Sequence, residues 1–262
     1  VELSKRYRID TDLTSYLDEY LRIAEVPDAS TALNGLQVEN RGKIARLVAA
    51  VDASQATIDG VIDSLAAAPG PVLLLVHHGL FWDGLQPVTG RRYRRLGRLM
   101  AHDVALYSAH IPLDVHPEVG NNAILARELA LADLQPFGDY KGVPLGFAGK
   151  LAISRDELVR RVDALLGTTT QLLPGGPEEV RRLGIISGAA GDKIAAALEI
   201  GCDSFLTGEG SHHTFFDAME LGVNVLYAGH YATEQVGVKA LAAHLSDRFG
   251  LPWAFHDHPT GL

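Results

Sequence analysis

Cysteine is almost missing from this chain: among its 262 residues there is one, Cys202. A disulfide within the chain is therefore excluded, and a thiolate-ligated metal site is disfavoured. Long apolar runs are missing too, and none approaches the length that crosses a bilayer. The first ten residues, VELSKRYRID, lack the apolar core of a secretory signal. These absences lead to the expectation of a soluble, cytoplasmic protein with no membrane partner. Positive charge is short: 23 Lys and Arg stand against 32 Asp and Glu, a net charge of −9. Binding to nucleic acid or an anionic membrane would then need a local basic patch. No Ser-His-Asp elbow occurs. The loop SGAAGD (187–192) matches neither the dinucleotide fingerprint nor a P-loop; it reads as a tight turn, with an anion-holding helix start as the alternative.

What is present is the material of a folded core, with 47% hydrophobic and 21% charged residues. Apolar runs alternate with helical patterns. Leu13, Tyr16, Leu17, Tyr20 and Leu21 fall on one helical face. Buried strands are expected at 45–51, 72–76 and 104–109, with helices near 54–67, 92–102 and 118–130. The order returns in the second half: strands at 183–187, 204–207 and 223–228, and helices up to about 200, at 213–221 and at 234–249. Residues 135–182 join the halves around one helix, 155–166. Strands separated by helices of this length imply an α/β protein with mainly parallel sheets. We expect two similar α/β lobes, 1–134 and 135–262, with the C-terminal helix packing back on the first.

In open parallel sheets, function sits at the C-terminal strand ends. His77, His78, His110, Glu209 and His230 all fall there. Two segments echo each other: LYSAHIPLD (106–114) and LYAGHYATE (226–234) each run a strand into His-x-x-x-carboxylate. His77-His78 is followed by Gly79, which permits the backbone to turn so that both imidazoles face one site. Pro112 argues against a helix interior between His110 and Asp114, so the segment reads as an extended loop curling over the strand end. If the last helix begins near Tyr231, His230 and Glu234 share a face at its start; capping of that helix by Glu234 is the structural alternative. The set His77, His78, His110, Asp114, His230 and Glu234 offers nitrogen and oxygen without thiolate. That suits zinc, iron, manganese, cobalt or nickel in an open site. It is also enough for two divalent ions, because a carboxylate can bridge.

LVHHGLFWDG (75–84), LYSAHIPLDVHPEVGNNAILA (106–126), LTGE (206–209) and YAGHYATEQVGVKAL (227–241), with NGLQVE (34–39) and VDASQA (51–56), resemble the NIF-three-like family of dinuclear-metal-centre proteins. Many of its members carry the label GTP cyclohydrolase 1 type 2 homologue. The resemblance implies two interlinked α/β lobes with the metal site between them, and a ring-shaped homohexamer. It implies His77, His78, Asp114, His230 and Glu234 as ligands, with Glu234 bridging. His110 either ligates or supports a ligand. His213 takes the place of a histidine that often follows the TGE motif. The stretch 135–182 is too short for the extra domain that some members insert.

Two functions follow as expectations. The first is a metal-dependent hydrolase acting on a nucleotide or cyclic amide, with His110 or Glu209 moving protons. The second is a metal-stabilised ring that binds a protein or nucleic-acid partner. The one basic stretch, GRRYRRLGRLM (90–100), reads as a solvated helix face or as a phosphate-binding rim. Asn121-Asn122 either cap the following helix or support the site. His256-Asp257-His258 reads as a solvated tail.

Overall fold

The computed structural model describes residues 11–261; the VELSKRYRID segment weighed for a signal lies outside them. In chain order come α1 (Thr11–Tyr20), β1 (Gly35–Val38), β2 (Arg46–Asp52), α2 (Gln55–Ser64), β3 (Val72–His78), α3 (Gly90–Ala101), β4 (Val104–Ser108) and α4 (Ile111–Asp114). Next are α5 (Asn121–Glu128), β5 (Ala132–Tyr140), β6 (Val143–Ser154), α6 (Arg155–Leu166), β7 (Gln171–Pro174), β8 (Glu179–Ile185) and α7 (Ile194–Glu199). The chain ends with β9 (Ser204–Thr207), α8 (Thr214–Leu221), β10 (Asn224–Tyr227), α9 (His230–Phe249) and β11 (Trp253–Phe255). These elements form two compact units. One takes the described residues up to Leu113 together with Val238–His258, the other Asp114–Gly237 with the chain end from Pro259. No helix among the described residues is long and apolar enough to cross a membrane.

The first unit is built on a five-stranded sheet of order β1-β4-β3-β2-β11. β11, β2, β3 and β4 run parallel, and β1 pairs antiparallel with β4. The apolar runs of β2, β3 and β4 bury both faces, as central parallel strands do. On one face Val48, Ala50, Leu74, Val76 and Leu106 pack with Ile58 and Val61 of α2 and with Leu96 and Leu99 of α3. Ser54 caps α2, its Oγ accepting from Thr57 N at 3.0 Å. The apolar pattern does not announce β1 as a strand. Nor does it announce β11, which pins the start of the expected solvated tail: His256 N donates to Ala49 O at 2.8 Å, and the His256 ring occupies the space a Cβ would need at Gly60.

The second unit carries a six-stranded sheet of order β5-β6-β8-β9-β10-β7. Its centre, β8-β9-β10, is parallel. Antiparallel pairs flank it: β5 with β6, β6 with β8, and β7 with β10. The stretch expected as a joiner thus supplies strands of its own. β5 and β6 form a hairpin, and both residues of its turn, Lys141 and Gly142, have positive φ, the requirement of the tight turn that matches strand twist. Leu158 and Val162 of α6 pack with Leu183, Ile185, Leu206 and Leu226 of the sheet. Ser154 caps α6 through Glu157 N, and Gly167 ends it in the left-handed conformation.

Candidate metal centre

Three imidazoles gather at the C-terminal ends of β3 and β4. His77 and His78 are the last two residues of β3, and His110 follows β4. Adjacent strand residues ordinarily point to opposite faces, yet the His77 and His78 ring centroids lie 4.7 Å apart. They stand 5.0 and 5.6 Å, respectively, from the ring of His110. One ligand atom from each histidine falls within 4.8 Å of the others.

Each ring is held by its Nδ1. His77 Nδ1–H donates to Ala109 O at 2.9 Å. His78 Nδ1–H donates to Asp52 Oδ1 at 2.8 Å, as the ladder places Asp52 beside His78. His110 Nδ1–H donates to the Asp28 carboxylate at 3.0 and 3.1 Å. Carbonyl and carboxylate oxygens only accept, so Nδ1 carries the proton and the Nε2 lone pair is the one directed to a ligated ion. Asp28 is itself fixed: it accepts from Ala29 N at 2.6 Å, Asn34 Nδ2 at 2.8 Å and Ile111 N at 3.0 Å. Burial pushes the Asp28 carboxyl up, but the His110 bond and charge, with Asn34 and Ala29, outweigh it and hold it below the ordinary carboxylate value.

In the second unit, α9 begins at His230 itself, so His230 and Glu234 lie one turn apart on the same face. His230 Nε2 stands 3.2 Å from Glu234 Oε1, and Nδ1 stands 2.7 Å from Glu209 Oε1. Burial lowers the His230 pKa, but the two carboxylates prevail and push it up to about 9. Glu234 is 3% exposed. A neighbouring loop explains the SGAAGD motif. Gly188 has φ +68°, and a Cβ there would lie 2.4 Å from Glu234 Oε1. Thr233 Oγ1 accepts from Gly188 N at 3.0 Å. The motif is therefore a close backbone approach to a carboxylate. The helix it leads into has only six residues, Ile194–Glu199.

Asp114 ends the helical turn α4, where an extended loop was expected. Pro112 is accommodated because it sits in the first turn, where a backbone N–H has no helical acceptor. Asp114 is 8% exposed, and its Oδ1 accepts from Asn121 Nδ2 at 2.8 Å and Ser187 Oγ at 3.0 Å. Asn122 Oδ1 accepts from Ser187 N at 2.7 Å, and Asn121 Oδ1 from Gly237 N at 2.7 Å. Gly120 is the N-cap of α5, so Asn121 and Asn122 hold the Asp114 carboxylate and its surroundings instead of capping.

The family model for Duf34/NIF3 (NGG1p interacting factor 3) matches residues 10–260. The chain belongs to the NIF3 family. It is 48% identical over 253 residues to a Deinococcus radiodurans protein named "GTP cyclohydrolase 1 type 2 homolog", covering 96% of this chain and 94% of that one. A Pyrococcus abyssi protein of the same name is 42% identical, with 96% and 98% covered. Among solved structures, TTHA1606 from Thermus thermophilus is 43% identical with a TM-score of 0.85, over 96% of this chain and 98% of that one.

For this NIF3-family chain the candidate donor groups are imidazole and carboxylate. Cys202 adds no thiolate, since it is buried and burial raises its thiol pKa to about 11. His213 is exposed beside a cavity of about 390 Å³ that Asp192, Glu209 and Ser211 also line. The basic stretch is largely absorbed by structure. Arg92 is buried; it pairs with Asp83 and donates to Gly84 O at 2.7 Å and Gln86 O at 3.0 Å. Arg91 pairs with Asp83 at 3.2 Å and Arg98 with Asp59 at 2.9 Å. Sequence reasoning misses Asp28 and Asp52 as the carboxylates behind His110 and His78. Within VDASQA, Asp52 reads as a helix cap, and only the pairing of β2 with β3 brings it to His78.

Proposed function

We propose that this chain is a metal-dependent hydrolase that holds two divalent ions, drawn from iron, zinc, manganese, cobalt or nickel. His77, His78, Asp114, His230 and Glu234 are the proposed ligands. The observation that carries the reading is the clamped Nδ1 of His77, His78, His110 and His230, by Ala109 O, Asp52, Asp28 and Glu209 respectively. A core histidine needs one satisfied nitrogen, but three of these four have a dedicated carboxylate, the support that sharpens metal-ligating histidines. When bound, the ions would supply Lewis-acid activation of water and of a substrate carbonyl or phosphoryl oxygen.

The chain's own groups do the rest. Asp52 and Asp28 fix two rings in the ligating tautomer. Asn121 and Ser187 hold Asp114 by one oxygen. Glu209 is proposed to orient His230 and, being 46% exposed along its side chain, to exchange protons with solvent. His110 is proposed either as a further nitrogen ligand or as the group that moves a proton to the leaving atom. The relatives' name supports a nucleotide or cyclic amide as substrate class. Family resemblance alone supports the homohexamer.

Protein purified without chelator should carry close to two ions per chain by elemental analysis. It should also turn over at least one member of a panel of nucleotides, phosphoesters and cyclic amides, with His78→Ala inactive. Metal content near zero that manganese, zinc and iron all fail to restore would sink the reading.

A further inference from the structure

Trp82 has no part in the metal-ligand set, yet it stands against it. Its ring centroid lies 4.8 Å from that of His110 and 5.9 Å from that of His78, at interplanar angles of 82° and 74°. Trp82 is 37% exposed, unusual for a residue with so much apolar surface to bury. The two histidines cannot cover both of its faces. Their own rings are only 5.6 Å apart, too close to flank the indole from both sides, so they cover at most one face.

The loop around Trp82 is tied down on both sides. Leu80 is buried, and its N donates to Gln37 Oε1 at 2.8 Å. Phe81 packs on the core. Gly84 N donates to Phe81 O at 2.8 Å, closing a turn with Trp82 as its second residue and Gly84, at φ +71°, as its last. Asp83 is ion-paired to Arg91 and to the buried Arg92. Arg92 also stacks over the Phe81 ring at 5.3 Å. Two arginines of the stretch that reads as a phosphate rim, Arg91 and Arg92, thus hold this turn. A preorganised aromatic, partly open and touching two histidines, is a surface on which a flat ring binds with little ordering cost.

We propose that Trp82 is the substrate-binding platform of this site, stacking a planar nitrogen heterocycle beside His78 and His110. The assignment rests on the proposed metal-centre reading and narrows its substrate class to molecules with a flat heterocyclic ring, leaving acyclic phosphoesters without this contact.

The test uses the full-length, metal-loaded protein. A Trp253→Phe background leaves Trp82 as the one tryptophan of the two. Guanosine, inosine, cytidine and pterin serve as planar-heterocycle probes and ribose 5-phosphate as the control that has no planar heterocycle. Trp82 fluorescence should be quenched saturably by at least one ring probe and not by ribose 5-phosphate. In the wild-type background, calorimetry should show Trp82→Phe keeping most of the ring affinity. Trp82→Leu, which keeps apolar volume but no π face, should lose it on the order of tenfold, the scale of base–aromatic stacking. Metal content and unfolding temperature report whether each variant is intact. Equal ring affinity in an intact Trp82→Leu overturns the proposal, as does the absence of quenching by every ring probe. A wild type that binds no metal at all sinks the metal-centre reading instead, so the two failures are distinguishable.

Discussion

Asp52 shows how one carboxylate can decide what a histidine does. Without it, the His78 ring would choose its tautomer and its rotation about the last side-chain bond. The 2.8 Å contact fixes both. Replacing Asp52 with Asn keeps the volume but lets the amide offer either oxygen or nitrogen to Nδ1, and the negative charge that strengthens Nε2 as a donor is lost. Metal affinity should fall on the order of 10–100-fold, with little loss of fold stability because Asp52 is only half-buried. A competition titration against a chelator of known affinity measures this; an unchanged affinity in Asp52→Asn would remove Asp52 from the site. The ligand candidates themselves are legible in the sequence, because histidines at strand ends and the repeated His-x-x-x-carboxylate are local patterns. Asp28 is not. It reaches His110 across 82 positions, and nothing in PDAS marks it as other than a turn residue.

At the scale of elements, the parallel strands are readable because an unbroken apolar run bounded by helices has few other uses. β5 is not: Ala132–Gln135 are exposed, and Pro136 and Gly138 argue for a loop. Its partner β6 secures it through a two-residue turn in which lysine, not asparagine or aspartate, takes a positive φ. The loop 187–192 reads correctly as a turn, but its reason for being a turn is the carboxylate beneath Gly188. Gly188→Ala should cost roughly 1–3 kcal/mol of stability through its positive φ and also displace Glu234, lowering metal content. Gly201→Ala is the control: φ is +83°, but a Cβ there meets nothing within 4 Å. It should lose stability alone. Matching metal loss in the two variants, by elemental analysis after dialysis, would show that close approach at Gly188 has no bearing on the ligand.

For the molecule as a whole, His230 ties stability, pH and metal together. In the metal-free protein its pKa is raised from 6.5 to about 9 by Glu234 and Glu209, against the opposing effect of burial. A raised folded-state pKa means that charged His230 stabilises the metal-free fold fully below about 6.5, and that this contribution disappears as pH climbs through about 9. An ion on Nε2 has the opposite requirement, because it takes the place of the proton that faces Glu234. Apparent metal affinity should therefore rise as pH increases from 6 to 9. Bound metal stabilises by an amount that grows with the ratio of free ion to Kd, about 2.7 kcal/mol at a hundredfold excess. Both dependences express the same proton on His230, so they appear as one effect on one observable. The gap in unfolding temperature between manganese-saturated and chelator-treated protein should widen steadily between pH 6 and pH 9. It should be much less pH-dependent in His230→Gln, whose side chain does not titrate. A gap that stays constant or narrows in the wild type would mean that no proton leaves His230 when the ion enters, and His230 would then lie outside the ligand set.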